Sequence, residues 1–376
     1  MSQLRTLCTT VFESVRLRNR IFTYLVFSHL LNQLTSDLEP RTNYWPLSRD
    51  RHKLPFVFLN YLVFTLGFLL LVGGADWLIK GASALAKKFG LSEIAIGLTV
   101  VAFGTSAPEL VVNIVSSFRA SGELIVGNII GSNIANIALV LGSAGLLAPL
   151  AIERELIRKD IPIGILGVAA IYLLATKNGG EFILDRLDGL VLFLGFIAFL
   201  WLIYRAAKSK KDVAAAEAPT IKKAPIKTGM ALVFVGGGLA ALALGGEFVV
   251  DSAIRIARHF EVSEKLIGLT LVAIGTSLPE LVTSVIAVWR KKIDLAIGNV
   301  VGSNVFNIFW VLGASALVNP VHFPATAVTD LLVLIGFSFL LLAANVLGKK
   351  YTLDRWQAAI LFTSYIAYLG FIMWRG

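Results

Sequence analysis

Cysteine is almost missing from this sequence. Cys8 is the only one in 376 residues, which excludes an intrachain disulfide framework and any cysteine-based metal cluster. Charge is scarce too: Asp, Glu, Lys and Arg make up 15% of the chain, where a soluble domain carries about 25%. What replaces it is hydrocarbon. The chain is 56% hydrophobic with a mean hydropathy of +0.78, and uncharged apolar runs of about 17 to 25 residues recur along it. Each run is long enough to cross a bilayer core of roughly 30 Å as a helix. The sequence is that of an all-α, polytopic membrane protein. The net charge of +10 does not indicate nucleic acid, because the basic residues sit in the loops between apolar runs, as the cytoplasmic excess of Lys and Arg requires.

One stretch occurs twice. Residues 97–142 and 268–313 align without a gap at an offset of 171, with 24 of 46 positions identical. The shared residues include Gly-Thr-Ser-x-Pro-Glu, Gly-Asn, Gly-Ser-Asn and a further Asn, the types that hydrocarbon tolerates worst. An apolar segment that keeps one polar set in two places keeps it for chemistry.

The hydropathy pattern predicts ten spans, at roughly 57–79 (continuing past Lys80), 92–118, 123–148, 160–176, 187–205, 229–258, 263–289, 294–318, 327–346 and 354–374. Residues 1–54 form an N-terminal extension of unassigned role. Its apolar run Ile21–Leu31 is too short to span and fits an interfacial helix or a targeting segment. Residues 55–205 and 229–376 form two five-span halves, joined by a polar, Lys-rich linker at 206–228 expected to be flexible and cytoplasmic. With both termini outside, 19 basic residues of the spans and loops fall inside and seven outside, which favours that orientation. Five crossings separate the span at 92 from its twin at 263. The copies therefore enter the membrane from opposite sides, as inverted repeats about a pseudo-two-fold axis in the membrane plane.

Glu109 and Glu280 lie near the middle of their spans, where a carboxylate costs several kcal/mol unless it faces the bundle interior. A single such Glu could be a protonated structural residue; two in matched motifs point to a site. Pro108 and Pro279 remove a backbone donor and free the carbonyls of Gly104 and Gly275. Thr105, Ser106, Thr276 and Ser277 stand just before, and helical spacing puts Ala102, Thr105 and Ser106 on the face of Glu109. Ser132 with Asn136, and Ser303 with Asn307, repeat the i, i+4 spacing in the following spans. Carboxylate, hydroxyl and carbonyl oxygens are the ligand set of hard cations such as Ca²⁺ and Na⁺. The lack of imidazole and thiolate argues against zinc or copper. Gly127, Gly131, Gly298 and Gly302 form small-xxx-small patterns suited to close helix packing.

The motifs GTSAPE and GTSLPE, with GNIIGSN-x-x-N and GNVVGSN-x-x-N, resemble the α-repeats of the cation/Ca²⁺ exchanger superfamily, the sodium/calcium exchangers, in its prokaryotic two-repeat form. The resemblance covers residue 57 to the C-terminus. It implies two inverted five-helix units, alternating access, Ca²⁺ shared by Glu109 and Glu280, and Na⁺ sites built from motif hydroxyls and alanyl carbonyls. Carried over, the ion ligands are Glu109, Glu280, Thr105, Ser106, Thr276, Ser277, Ala102, Ala273, Ser132, Ser303, Asn136 and Asn307. The chain departs from the pattern at Asn307, where many sodium/calcium exchangers carry Asp.

The function expected is a Ca²⁺/Na⁺ antiporter. A Ca²⁺/H⁺ antiporter on the same fold is the alternative, since the glutamates could carry protons, and a cation channel stands behind it. No His, Cys or Asp accompanies the motifs to activate a nucleophile, so no enzyme is expected. The expected partners are the lipid bilayer, Ca²⁺ and Na⁺, with no cofactor, no nucleic acid and no obligate protein partner. The location expected is the inner (plasma) membrane of a prokaryote.

Overall fold

The computed structural model describes residues 53–177, 182–216, 226–262, 273–324 and 326–375. The expectations for residues 1–52, the last part of the linker (217–225) and the first part of the seventh span (263–272) lie outside the described residues. What is described is almost entirely helical. The helices are α1 (Lys53–Phe89), α2 (Glu93–Thr105), α3 (Ala107–Phe118), α4 (Gly122–Leu147), α5 (Leu156–Thr176) and α6 (Arg186–Ala216). After the linker come α7 (Thr228–His259), a short α8 (Ala273–Gly275), α9 (Leu278–Trp289), α10 (Ile293–Val318), α11 (Ala327–Leu347) and α12 (Arg355–Arg375). Eight of these are long and apolar enough to cross a membrane, and α2 with α3 makes a ninth span bent by 47°. The described part of the seventh expected span is α8 and α9, of which α9 is apolar but only 12 residues long.

The linker differs from its expectation in one respect. Helix α6 runs on through Ala216, well past the expected end of the fifth span. Its extension ends in Ala214, Ala215 and Ala216, and alanine is the strongest helix former. Charged residues in that extension stop the apolar pattern without stopping the helix.

Burial separates central from peripheral helices. The most apolar windows of α4 and α10 are 78% and 83% buried, whereas those of the other long helices are 28–39% buried. Helices α4 and α10, which carry the Gly-Ser-Asn motifs, thus form the centre, and the other long helices turn one face outward.

Glycine sets how closely the helices approach. Helix α1 carries Gly67, Gly74 and Gly81 at a spacing of seven, and these meet Gly245, Gly238 and Ala231 of α7 at the same spacing. A Cβ at Gly74 would lie 2.9 Å from the Gly238 carbonyl oxygen, and one at Gly238 would lie 2.7 Å from that of Gly74. The offset of 171 makes Gly67 the counterpart of Gly238, and Gly74 that of Gly245, so the crossing is two-fold in sequence as well as in space. At the centre, Gly298 and Gly302 of α10 pack on Ile94, Leu98 and Ala102 of α2, with hypothetical Cβ contacts of 2.7 Å. This is the close packing expected of them. Nothing among the described residues lies within 4 Å of a Cβ at Gly127 or Gly131; the positions matching the partners of Gly298 and Gly302 are Lys265, Leu269 and Ala273, the first two outside the described residues.

The loops repeat as well. Strand β1 (Leu150–Ala151) pairs antiparallel with β4 (Thr352–Leu353), and β2 (Ile183–Leu184) with β3 (Val321–His322). Each ribbon joins one half to the other, and β1 and β3 are repeat counterparts. Ile152 N–H donates to the Tyr351 carbonyl at 2.7 Å, and its counterpart Phe323 N–H to the Phe182 carbonyl at 2.8 Å. The turns after α3 and α9 both place a left-handed residue at the same position, Ala120 (φ 53°) and Lys291 (φ 60°). Neither is glycine, so each carries the modest strain of that region. Ion pairs tie loop ends together: Arg290 with Asp76 of α1 at 2.7 Å, and Lys292 with Glu93 at the start of α2.

The glycine contacts yield a matched test. Gly74→Leu forces a side chain into backbone 2.9 Å away, whereas neighbouring Gly73 has nothing within 4 Å. Overpacking costs about 1–3 kcal/mol, so the thermal midpoint of detergent-purified Gly74→Leu should fall by several kelvin while that of Gly73→Leu stays near the parent. Equal midpoints would show that α1 and α7 do not meet at this stripe.

Candidate ion-binding site

The second span does not kink at Pro108; it stops. Ser106 (φ −86°, ψ 7°) ends α2 and begins α3, and Pro108 occupies the first turn of the new helix. A missing N–H costs nothing there, because first-turn donors have no intrahelical acceptor. Ser277 (φ −90°, ψ 5°) and Pro279 repeat the arrangement at the start of α9. The break alters one sequence expectation. Thr105 and Glu109 do not share the stripe of one helix, because they lie on either side of it, and each finds different partners.

The break also accounts for where the carboxylates stand. Glu109 and Glu280 fall in the first turns of α3 and α9, at the positive ends of the two helix dipoles. Both are buried, at 1% and 0% exposure. Ser106 Oγ donates to Glu280 Oε1 at 2.9 Å, and Ser303 Oγ donates to the same oxygen at 3.4 Å. One carboxylate thus takes hydroxyls from both repeats. Glu280 Oε2 and both Glu109 oxygens are buried without a hydrogen-bond partner among the described residues.

The remaining expected residues have partners of their own or none among the described residues. Thr105 Oγ1 reaches the Ala102 carbonyl at 3.4 Å and Asn299 Oδ1 at 3.1 Å, while Ser132 Oγ and Thr276 Oγ1 meet at 3.4 Å across the repeats. The Ala102 carbonyl also takes the Ser106 N–H at 3.0 Å. Ser277, Asn136 and Asn307 are buried, with Ser277 Oγ, Asn136 Oδ1 and both polar atoms of Asn307 unpartnered among the described residues. Ala273 begins α8. Asn136 and Asn307 stand in matching π turns, Asn136–Val140 and Phe306–Val311, a distortion frequent at functional sites. The packing is crossed: α9, which carries Glu280, lies on the Asn136 turn, and α3, which carries Glu109, lies on the Asn307 turn.

Several groups here escaped the sequence reading. Asn299 accepts from Thr105 and donates to Ser284 Oγ at 3.1 Å, linking α2, α10 and α9. Its signal was present, since Gly-Asn is among the repeated residues. Asn113 Nδ2 donates to the Glu109 carbonyl at 2.7 Å, and Thr283 is fully buried with its hydroxyl unpartnered among the described residues. These two lack identical counterparts, so comparing the copies could not find them; their spacing from the glutamates, four and three residues, could have.

The site therefore gathers buried oxygens at two helix breaks, two carboxylates among neutral amide, hydroxyl and carbonyl groups. No cluster of three or more His, Cys, Asp or Glu exists among the described residues, which fits a hard cation better than a transition metal.

Comparison with known proteins agrees with this chemistry. The family model described as sodium/calcium exchanger protein matches residues 59–205 and 230–374. The sodium/calcium exchanger MaX1 of Methanosarcina acetivorans is 32% identical over 343 residues, covering 83% of this chain and 97% of that protein. The inner membrane protein YrbG of Escherichia coli is 38% identical over 262 residues, 68% of this chain and 78% of its own. A solved structure of the sodium–calcium exchanger NCX_Mj superposes with a TM-score of 0.70 at 34% identity, covering 84% of this chain and 99% of that one. With both halves matched and the fold shared, this chain is an integral membrane protein that belongs to the sodium/calcium exchanger family.

Proposed function

We propose that the protein exchanges Ca²⁺ for Na⁺ by alternating access, with Glu109 and Glu280 holding Ca²⁺ jointly near the bilayer midplane. The observation that carries this reading is the Glu280 carboxylate: it takes hydroxyls from Ser106 of one repeat and Ser303 of the other, while Glu109 adds two more buried oxygens without partners among the described residues. Two carboxylates match the charge of one Ca²⁺. Thr105, Ser106, Thr276, Ser277, Ser132, Ser303, Asn136, Asn307 and the carbonyls of Ala102 and Ala273 supply neutral oxygens for Na⁺. No cofactor takes part. Residues 55–205 and 229–376 act as the two inverted halves, the linker is cytoplasmic, both termini lie outside, and the host membrane is a prokaryotic inner membrane. The ribbon pairing supports this layout, because β1 with β4 joins two loops that the charge count puts inside, and β2 with β3 joins two that it puts outside. MaX1 and NCX_Mj, both named as exchangers of sodium and calcium, support the choice of ions.

The test is ⁴⁵Ca²⁺ uptake into proteoliposomes against an outward Na⁺ gradient with pH clamped on both sides. Uptake should need the Na⁺ gradient and saturate with Ca²⁺. Glu109→Gln and Glu280→Gln should each abolish it, at least a hundredfold, while leaving the protein in the membrane. Uptake driven by a pH gradient with Na⁺ absent would replace Na⁺ by protons as the counter-ion, and unchanged flux in either variant would remove that glutamate from the site.

The layout is tested separately. After replacement of Cys8, single cysteines at Ser121 and Lys291, the same turn in the two repeats, should react with an impermeant thiol reagent from opposite sides: outside for 121 and inside for 291. Labelling of both from one side would contradict the inverted arrangement.

A further inference from the structure

A set of buried polar bonds is made in the second copy of the repeat and left open in the first. Asn299 Oδ1 accepts from Thr105 Oγ1 at 3.1 Å, and Asn299 Nδ2 donates to Ser284 Oγ at 3.1 Å. At the offset of 171 the counterparts of Asn299, Thr105 and Ser284 are Asn128, Thr276 and Asn113. The counterpart of the Ser284 bond is not made: Asn128 Nδ2 and Asn113 Oδ1 are both buried without a partner among the described residues. In place of the Thr105 bond, Thr276 Oγ1 meets Ser132 Oγ at 3.4 Å, and Ser132 Oγ donates to Asn128 Oδ1 at 3.5 Å.

The two unpartnered atoms are complementary. Asn113 spends its amide donor on the Glu109 carbonyl at 2.7 Å, so its oxygen is left to accept. Asn128 has committed its oxygen to Ser132 and is left with a donor. Their helices, α3 and α4, already pack together, as α9 and α10 do around Ser284 and Asn299. A buried donor and acceptor both left unpaired are costly, and the twin site shows that the fold can join them. The serines follow the same asymmetry. Ser106 reaches Glu280, whereas Ser277 Oγ and the Glu109 oxygens have no partner among the described residues.

We propose that Asn299 and Asn128 are alternating latches: positioning residues, one bonded and the other open in each access state. Alternating access in inverted repeats moves one repeat against the other. By the pseudo-two-fold axis, the opposite-facing state gives each copy the arrangement its twin holds now. Asn128 then takes the Thr276 hydroxyl and donates to Asn113, while Asn299 releases Thr105 and Ser284. On the orientation proposed above, Asn299 ties α2, α9 and α10 in the inner half of the membrane. Asn128 belongs to the outer half, so the present structure is latched inside and unlatched outside. The latches fix which half is closed and leave the choice of ion to the glutamates. The inference rests on the alternating-access reading and adds the residues that switch.

The test is bridging of Asn113→Cys/Asn128→Cys by mercuric ion in the purified full-length protein with Cys8 replaced, read by mass spectrometry of the intact chain. The pair should be bridged, and adding Ser284→Ala, which removes the acceptor of the inner latch, should speed bridging by about fivefold. Ser338→Ala, a buried serine that donates within α11, should leave the rate unchanged. A folded protein whose pair stays unbridged, or a rate indifferent to Ser284→Ala, overturns the proposal. So does an equal acceleration by Ser338→Ala. If the cysteine pair does not fold, Ser284→Ala and Asn128→Ala decide through Ca²⁺ half-saturation measured from each side of oriented vesicles. Ser284→Ala should raise it outside and lower it inside, and Asn128→Ala should do the reverse, because apparent affinity follows the fraction of chains facing the ion. Shifts of one sign on both sides would make the two residues structural only and end the proposal. Bridging needs no transport, so absence of Na⁺-driven Ca²⁺ uptake in the parent would sink the exchange reading without touching that measurement.

Discussion

Oxygen in hydrocarbon has to be met by something, and that constraint governs the middle of this protein. Two carboxylates at bilayer depth would each cost several kcal/mol on an unbroken, lipid-facing helix. The chain answers by ending the helix just before each one. Ser106 and Ser277 stop the preceding segment, Pro108 and Pro279 open the next, and Glu109 and Glu280 fall in the first turn, where free N–H groups and the dipole favour negative charge. The break also leaves hydroxyls at hand, and Ser106 uses its own to reach the opposite glutamate. Glycine makes that reach possible. With any larger residue at Gly298 or Gly302, α2 could not lie against α10, and Thr105 would not meet Asn299.

The backbone is two-fold; the chemistry on it is not. Glycine stripes, left-handed turns, helix breaks and π turns recur at the repeat offset, as do strands β1 and β3 of the ribbons. Side chains then break the symmetry. Three and four residues beyond Glu280 stand Thr283 and Ser284, both fully buried, whereas beyond Glu109 stand Val112, 44% exposed, and Asn113. An edge-to-face aromatic group of Phe103, Phe196, Phe306 and Trp310 closes against Ala102; the counterparts of Phe306 and Trp310 in the first half are Ala135 and Leu139. Two faces of one site can thus differ in polarity and bulk although the helices that build them match.

How much of this was legible follows from what a sequence carries. The membrane class, the helices and the polar motif residues were legible because hydropathy and an internal repeat are direct signals. Among the expected site residues, Ser106 and Ser303 bond to Glu280, and the repeat picked them out as polar groups with no other reason to be there. The helix break was not legible. A proline inside an apolar run reads equally as a kink, and only the dihedrals of Ser106 and Ser277 separate the two. The stripe of Gly67, Gly74 and Gly81 went unseen because it lies outside the aligned stretch and carries no polar atom. The helical extension of α6 was hidden for the opposite reason, its charges reading as loop when alanine kept it helical.

On the proposed reading, charge balance alone accounts for exchange rather than leak. A pocket holding two carboxylates at the midplane is tolerable when a Ca²⁺ sits between them and costly when it leaves. The neutral oxygens nearby cannot remove the two negative charges. A conformational change that moves the site across the bilayer therefore has to wait for countercharge, and the minimum is two positive charges per crossing. Na⁺ ions seated among Thr, Ser, Asn and carbonyl oxygens meet that need without further protein charge. Asn at 307, where an Asp would add a third negative charge, holds the requirement at that minimum. Coupling in this picture needs no dedicated gate, because the uncompensated state is the one the membrane disfavours most.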